Sequence, residues 1–532
     1  MIFSENRCPL LRIMLYRDAM IRSFLTVSTG TLASRLLGFA RDSVIAALLG
    51  AGPIADAFLV AFQLVNVVRR LLAEGGLNAA LVPAWLSIRE RDGAVAAAAF
   101  AGRVLATVSA ALIAASVLIG LLMPLVITAL APGFAGRETL QFAVNDARLM
   151  LPYLAFAGPV TVMMALLNAQ GRFALTAFSP LLFNIALIAV MAVLLARRQD
   201  AENAALIMAA TVGIAGLLQL SMLVMRGGNV ATPLRISFDP QMRGFLGKAV
   251  PGMIASSAPQ WLMVAGAIIA SSSPSAVSWL YFANRLLELP LGIVGVAMGT
   301  VLIPELTRAL RGDDRTAVAH AESRGLELAV GLALPATLGL IVLAEPIVRI
   351  LFEHGAFTPG DSAATAQALI WLALGLPAHV LVKALSPAFF AREDTTTPLI
   401  ATLKSIAVAI VAALLLGHWF GAGGIAAAIA LGAWSNALVL IGRGATTFGF
   451  SIDTVARRRL PRIFTSALAM GAVLWLATRV VPMTPASHIV VQVIGLLVLI
   501  AGGIAAYGLF LALFGVTGWR EAVNAVRQKR AA

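Results

Sequence analysis

Apolar runs of about twenty residues or more follow one another along most of the chain, and charged residues fall mainly in short clusters between them. A helix needs about 20 residues to cross ~30 Å of hydrocarbon, so this rhythm constrains the fold more than any motif does. Composition points the same way: 60% of the 532 residues are hydrophobic and 12% are charged. Soluble proteins carry roughly 25% charged residues, and so few solvated groups could not cover a water-exposed fold. Disorder and collagen are excluded on the same grounds. The net charge of +14 is dispersed rather than gathered into one patch, so no nucleic-acid partner is expected. Cys8 is the one cysteine, which excludes an intramolecular disulfide and a cysteine-based metal site.

The expected fold is all-α, a polytopic integral membrane protein with about 14 transmembrane helices. The spans read as 22–50, 55–88, 95–130, 141–169, 174–195, 203–225, 247–271, 276–307, 325–352, 364–390, 398–417, 421–442, 462–482 and 487–515. Arg7, Arg12, Arg17, Asp18 and Arg22 interrupt the N-terminus before a signal-peptide core can form. Residues 1–20 therefore read as a cytoplasmic leader, or as sequence upstream of a start at Met20. With the N-terminus inside, connections expected in the cytoplasm hold about 25 Lys and Arg and the outer ones about five, as the positive-inside rule requires. Arg197 and Arg198 run against this trend. Both termini are expected in the cytoplasm.

Landmarks recur at a spacing of about 220 residues. Pro53 is matched by Pro274, Pro83 by Pro304, Pro124 by Pro346 and Pro152 by Pro377, while Arg172 before Pro180 resembles Arg392 before Pro398. An even number of spans per repeat preserves orientation, which predicts two parallel-repeat six-helix lobes plus two C-terminal helices. The implied organisation is a leader at 1–20, an N-lobe at 21–226, a linker at 227–246 and a C-lobe at 247–443. A cytoplasmic loop at 444–461, two helices within 462–515 and a basic tail at 516–532 complete it. Two equivalent lobes suit alternating access, and the loops are too short for an extramembrane enzyme domain.

Charge inside a span is expensive, at least ~2.5–3.5 kcal/mol at the bilayer centre, and here it is concentrated on a few helices. The first span carries Arg35, Arg41 and Asp42; the second carries Asp56, Arg69, Arg70 and Glu74. The eighth carries Arg285 and Glu288, and the tenth carries Lys383. Arg70 and Glu74 at i,i+4 read as a structural pair, as does Asp42 with a nearby arginine. Arg35, Arg41, Arg69 and Arg285 outnumber the matching carboxylates and suggest a positive central cavity. Guanidinium forks suit phosphate oxygens, so an anionic, phosphate-bearing substrate follows. Lys383 either joins this set or snorkels to the surface. The five histidines are scattered, Gly244-Phe245-Leu246-Gly247-Lys248 lacks Walker A spacing, and Asp313, Asp314, Glu393 and Asp394 read as solvated loop residues. No cofactor and no metal are expected.

Ser34-Arg35-Leu36-Leu37-Gly38-Phe39-Ala40-Arg41-Asp42, followed by Ala55-Asp56-Ala57-Phe58, resembles the start of the MurJ/MviN family of lipid II flippases. Asn66-Val67-Val68-Arg69-Arg70-Leu71-Leu72-Ala73-Glu74-Gly75 is similar to that family too, as is the stretch Ser278–Ala297. The family lies in the multidrug/oligosaccharidyl-lipid/polysaccharide exporter superfamily. The resemblance implies transport of undecaprenyl-diphosphate-linked disaccharide-pentapeptide across the bacterial inner membrane, with no catalysis. It also implies substrate contact by Arg35, Arg41, Asp56, Arg69, Arg285, Glu288 and Lys383, and a groove for the lipid tail beside spans 13 and 14. Membrane lipids and other cell-wall synthesis proteins are the remaining partner candidates. Gln63 departs from a position commonly basic in the family, and Val65 from one commonly proline. A flippase for another polyprenyl-diphosphate glycan, such as an O-antigen unit, is the alternative. A multidrug antiporter fits less well, because cationic substrates favour a carboxylate-rich cavity.

Overall fold

The computed structural model describes residues 29–30, 32–73, 76–227, 231–256, 258–298, 308, 315–390, 392, 394, 396–449, 453–480 and 488–516. Glu74, Glu305 and the leader at 1–20 lie outside the described residues, as does the tail beyond 516, so the expected Arg70–Glu74 pair cannot be placed. The described residues are almost wholly helical and contain no strand.

The first compact unit runs to Leu49 and adds Pro53–Ala129 and Phe134–Ser257. Its helices are α1 (32–49), α2 (Pro53–Ala73), α3 (Gly76–Leu121), α4 (Met123–Leu130), α5 (Glu138–Met150), α6 (Pro152–Ala169), α7 (Phe173–Ala196), α8 (Ala201–Gly227) and α9 (Pro240–Ser256). The second unit takes Gly50–Gly52, Leu130–Gly133 and the described residues from Ala258 onward. It holds α10 (Ala258–Ala270), α11 (Ala276–Ala297), α12 (Arg315–Val342), α13 (Ala344–Phe352), α14 (Pro359–Leu374), α15 (Leu376–Phe390), α16 (Thr396–Phe448), α17 (Thr454–Val480) and α18 (Ile489–Leu513). The seventh expected span covers parts of α9 and α10, which lie on either side of the undescribed residue 257 and fall one in each unit.

Element order repeats from unit to unit: α2 to α6 correspond to α11 to α15, and α7 with α8 corresponds to α16. The recurrent prolines explain themselves. Pro124 and Pro346 sit in the first turns of the short helices α4 and α13, and Pro152 and Pro377 in the first turns of α6 and α15. Proline's fixed φ and missing N–H cost nothing there, because the first four N–H groups of a helix have no internal partner. Each proline therefore marks a restart after a break within one crossing. The correspondence continues past the twelfth span. Ser237 N donates to Thr107 Oγ1 at 3.2 Å, and Asp453 N donates to Ser323 Oγ at 2.9 Å, each pair being 130 residues apart in sequence. The segment leading into α9 is therefore tied to α3 in the same way that the segment leading into α17 is tied to α12.

Helix ends follow local chemistry. Asp200, Asp239, Asp394 and Asp453 accept from backbone N–H groups at the starts of α8, α9, α16 and α17, the N-cap role that carboxylates fill well. Asp394, expected as a solvated loop residue, has this defined task. Arg198 adopts a left-handed φ of 50°, and Gln199 N reaches back to Leu194 O at the end of α7, a Schellman closure. That gives the anomalous Arg197–Arg198 pair a local structural role. α3 bends at Gly93 (φ 86°, ψ 177°) and α16 at Gly421 (φ 54°, ψ −135°). The second break falls at the first residue of the expected twelfth span.

Among the described residues, nine helical stretches are long and apolar enough to cross a membrane. α1 and α2 are kept out of that set by their charges: Arg35, Arg41 and Asp42 on one, Asp56, Arg69 and Arg70 on the other. Large apolar side chains are exposed along whole helix faces, among them Leu118, Leu125, Leu414, Ile494, Leu497 and Val498. On a soluble monomer this surface would drive aggregation; on a membrane protein it faces acyl chains. The interior of the first unit packs α3 against α6 and α9, with Phe100 edge-on to Phe245 at 6.0 Å. Close backbone approach is built from small residues: a Cβ added to Gly213 on α8 would lie 2.5 Å from Leu149 O on α5.

Candidate functional site

In the first unit the charged residues of α1 end in a buried polar node. Arg41 is 6% exposed and Asp42 is fully buried. Nε and Nη2 of Arg41 both donate to Asp42 Oδ1, at 2.9 and 2.6 Å. Consecutive helical residues diverge by ~100°, and the long arginine stem bridges that angle by curling along the helix. Arg41 Nη1 donates to Asn184 Oδ1 on α7 at 3.0 Å, and Asn184 Nδ2 donates to the Ser34 carbonyl on α1 at 3.2 Å. The guanidinium carbon lies 4.9 Å from the Phe62 ring centre and 5.9 Å from that of Phe183, so cation–π attraction adds to the hydrogen bonds.

Tyr153 on α6 meets Phe183 edge-on at 5.4 Å and donates a long 3.5 Å bond to Gln219 on α8. Gln219 in turn donates to Ser179 O on α7 at 2.9 Å. Both Arg41 and Arg69 lie within coulombic reach of Tyr153, which draws those two predicted residues toward one aromatic cluster. Arg69 Nη2 donates to Asn66 Oδ1, one turn earlier on α2, at 3.2 Å. Asp56 is buried in the first turn of α2. Arg35 stands apart as an exposed side chain on α1, so Asp42 pairs with its neighbour Arg41 and not with the residue two turns before.

The second unit gathers its predicted residues along α11. Arg285 Nη1 and Glu288 Oε2 form a half-buried pair at 2.8 Å. Seven residues beyond Glu288, on the same face of the helix, Gly295 approaches Lys383 of α15: a Cβ built on that glycine would lie 3.6 Å from Lys383 Nζ. Arg285, Glu288 and Lys383 therefore lie along one side of α11. One turn before Lys383, His379 is half-buried, and its enclosed Nε2 has no hydrogen-bond partner among the described residues. Among the described residues no three His, Cys, Asp or Glu side chains gather as a metal site.

Neutral members of the first node escaped the sequence reading. Asn184, Gln219, Tyr153, Phe62 and Phe183 carry no charge and recur at no telling interval. Asn184 and Gln219 alone gave a signal, each as an amide within an otherwise apolar span.

Residues 45–510 match the protein family described as lipid II flippase MurJ. The chain belongs to this family. A probable lipid II flippase MurJ of Rhizobium meliloti is 38% identical over 509 residues, covering 94% of each chain. The lipid II flippase MurJ of Burkholderia cenocepacia is 34% identical over 432 residues, covering 79% of this chain and 83% of that protein. Among solved structures, a lipid II flippase MurJ in an inward closed conformation superposes with a TM-score of 0.77 at 23% identity, covering 94% of this chain and all of the other. An inward-facing MATE-family transporter of the MOP superfamily gives a TM-score of 0.66 at 16% identity, over 83% of this chain and 99% of its own. The two structural likenesses establish the fold, and the sequence relationship establishes the MurJ family.

Proposed function

We propose that this chain is a flippase that carries lipid II from the cytoplasmic to the outer leaflet of the bacterial inner membrane by alternating access, both termini facing the cytoplasm. One observation supports the reading most strongly: in a member of the MurJ family, cationic side chains are set on α1, α2, α11 and α15, helices that lie within the crossings expected from the sequence. Each would cost at least ~2.5–3.5 kcal/mol against lipid, an expense that an anionic substrate in a wet cavity offsets.

In this mechanism Arg35, Arg41, Arg69, Arg285 and Lys383 hold the diphosphate, with Asp56 and Glu288 setting the orientation of nearby cations. The Arg285–Glu288 pair suits this role, since a carboxylate oxygen 2.8 Å from Nη1 holds the guanidinium at a fixed place on α11, and a guanidinium fork matches phosphate oxygens. The polyprenyl tail stays in the hydrocarbon against α17 and α18, whose exposed faces carry Phe464, Leu468, Trp475, Ile494, Leu497 and Val498. A cationic cavity also couples transport to membrane potential, worth about 2.3 kcal/mol per charge per 100 mV. Depletion of the protein in growing cells tests the function: lipid-linked peptidoglycan precursor accumulates on the cytoplasmic side if the proposal holds, and keeps its normal distribution if it does not. Supply of an O-antigen-type lipid-linked unit failing instead would move the substrate to the other polyprenyl-diphosphate class.

A further inference from the structure

We propose that Asn184 is a positioning residue for the two arginines of α1, a role that rests on Arg35 and Arg41 contacting the diphosphate. Asn184 lies midway along α7, is 5% exposed, and is bonded at both ends of its amide. Its Oδ1 accepts from Arg41 Nη1, and its Nδ2 donates to the carbonyl of Ser34, the residue before Arg35. The two attachment points are two helical turns apart on α1, about 10 Å at 1.5 Å per residue. One amide therefore fixes both the height at which α1 presents Arg35 and the plane in which Arg41 is held.

The chemistry selects this side chain. Turning the amide over would set its NH₂ against the guanidinium donors and its oxygen against the Ser34 carbonyl, so only one orientation satisfies both partners. Aspartate accepts from Arg41 but repels the carbonyl; leucine does neither; serine is too short. Neutrality matters as well. Asp42 already supplies one negative charge to Arg41, and a second carboxylate at 184 would make the node net anionic. Three of the five guanidinium N–H groups are committed, two to Asp42 and one to Asn184. The other two carry no hydrogen bond among the described residues, one on each Nη. An amide at 184 thus orients the guanidinium without adding a second negative charge that would repel phosphate.

The test is a double-mutant cycle on full-length protein in detergent, reading lipid II affinity alongside thermal stability. Asn184→Leu is expected to weaken binding about tenfold, the size of one hydrogen bond to a charged group. In an Arg41→Gln background the same substitution should cost less than about twofold, because the residue it positions is gone. Asn184→Asp, which keeps an acceptor for Arg41 but makes the node net anionic, should weaken lipid II binding more at low salt than at high salt, a salt dependence that loss of packing does not produce. Equal, additive losses in both backgrounds would overturn the role of Asn184, and so would wild-type affinity in both variants. If the wild type itself binds no lipid II, the flippase proposal and this inference fall together; wild-type binding with an additive cycle removes only the inference.

Discussion

Removing the carboxylate of Asp42 should be the most damaging single change in the first unit. Asp42 is fully buried, Arg41 is 6% exposed, and their closest contact is 2.6 Å. At an effective dielectric of about 20, opposite charges at that distance attract by roughly 6 kcal/mol, and breaking a buried pair from one side typically costs about 3–5 kcal/mol. Among the described residues Asp42 is the carboxylate within 4 Å of Arg41, so Asp42→Ala leaves a buried guanidinium without its counter-charge. The double variant Arg41→Met/Asp42→Leu removes both charges and should recover most of the lost stability, because replacing a buried pair by apolar groups is close to neutral. Transport should stay low in both, since each lacks a productive Arg41. Denaturation by SDS in mixed micelles, followed by tryptophan fluorescence, measures the first effect, and lipid II transfer in vesicles measures the second. A loss below about 1 kcal/mol in Asp42→Ala, a value typical of an exposed pair, would refute the buried-pair reasoning; transport restored in the double variant would refute the need for Arg41.

Arg285→Ala should abolish transport while leaving membrane insertion and melting temperature close to wild type, because its pair with Glu288 is half-buried; a variant that complements fully in cells would remove Arg285 from the substrate site. Gly102→Val should loosen the segment before α9, as a Cβ there runs into Pro233 O, and limited proteolysis near 231–239 should quicken; unchanged cleavage would contradict that close approach. The four aspartate caps predict the acid limb of stability. Backbone N–H bonds from Met242 and Ala456 lead in holding Asp239 and Asp453 below the usual carboxylate range, while Asn203 and Thr397, through side-chain and backbone bonds, do so for Asp200 and Asp394. Depressed folded-state values contribute stability that is complete above an unfolded pKa of ~3.9 and is lost as pH falls through the folded value. The melting temperature should therefore hold from neutral pH to about 5 and drop below about 4, and Asp453→Ala should lower stability by about 0.5–2 kcal/mol at neutral pH and flatten part of the drop. A melting curve independent of pH down to 3 would contradict the caps.

Much of the architecture was legible because the bilayer writes it in a coarse hand. Apolar length gave the crossings, and Pro124, Pro152, Pro346 and Pro377 gave the repeat because proline is tolerated at the first turn of a helix and so dates each restart. The internal breaks were less readable: Gly93 and Gly421 look like any other small residue until their backbone angles are known. Charged site residues stood out against apolar spans, whereas their partners did not. The Arg41–Asp42 pair defies the facing rule for helical neighbours, since a long side chain can reach where its Cα–Cβ vector does not point. Asn184 lies 143 residues from Arg41, a separation over which no local pattern carries information. His379 shows the same limit, the enclosure of its Nε2 one turn from Lys383 being fixed by packing around α15 rather than by spacing.

Lipid II transfer in vesicles containing purified protein is the most direct measurement of whether the intramembrane cations hold the diphosphate. With wild-type protein, precursor placed in one leaflet should become accessible to an impermeant modifying enzyme on the other side, and inorganic pyrophosphate should compete. Arg285→Ala and Arg69→Ala should each reduce that transfer at least about tenfold, the loss of one charge-assisted contact. Transfer by both variants at the wild-type rate would contradict the claim that these cations carry the substrate.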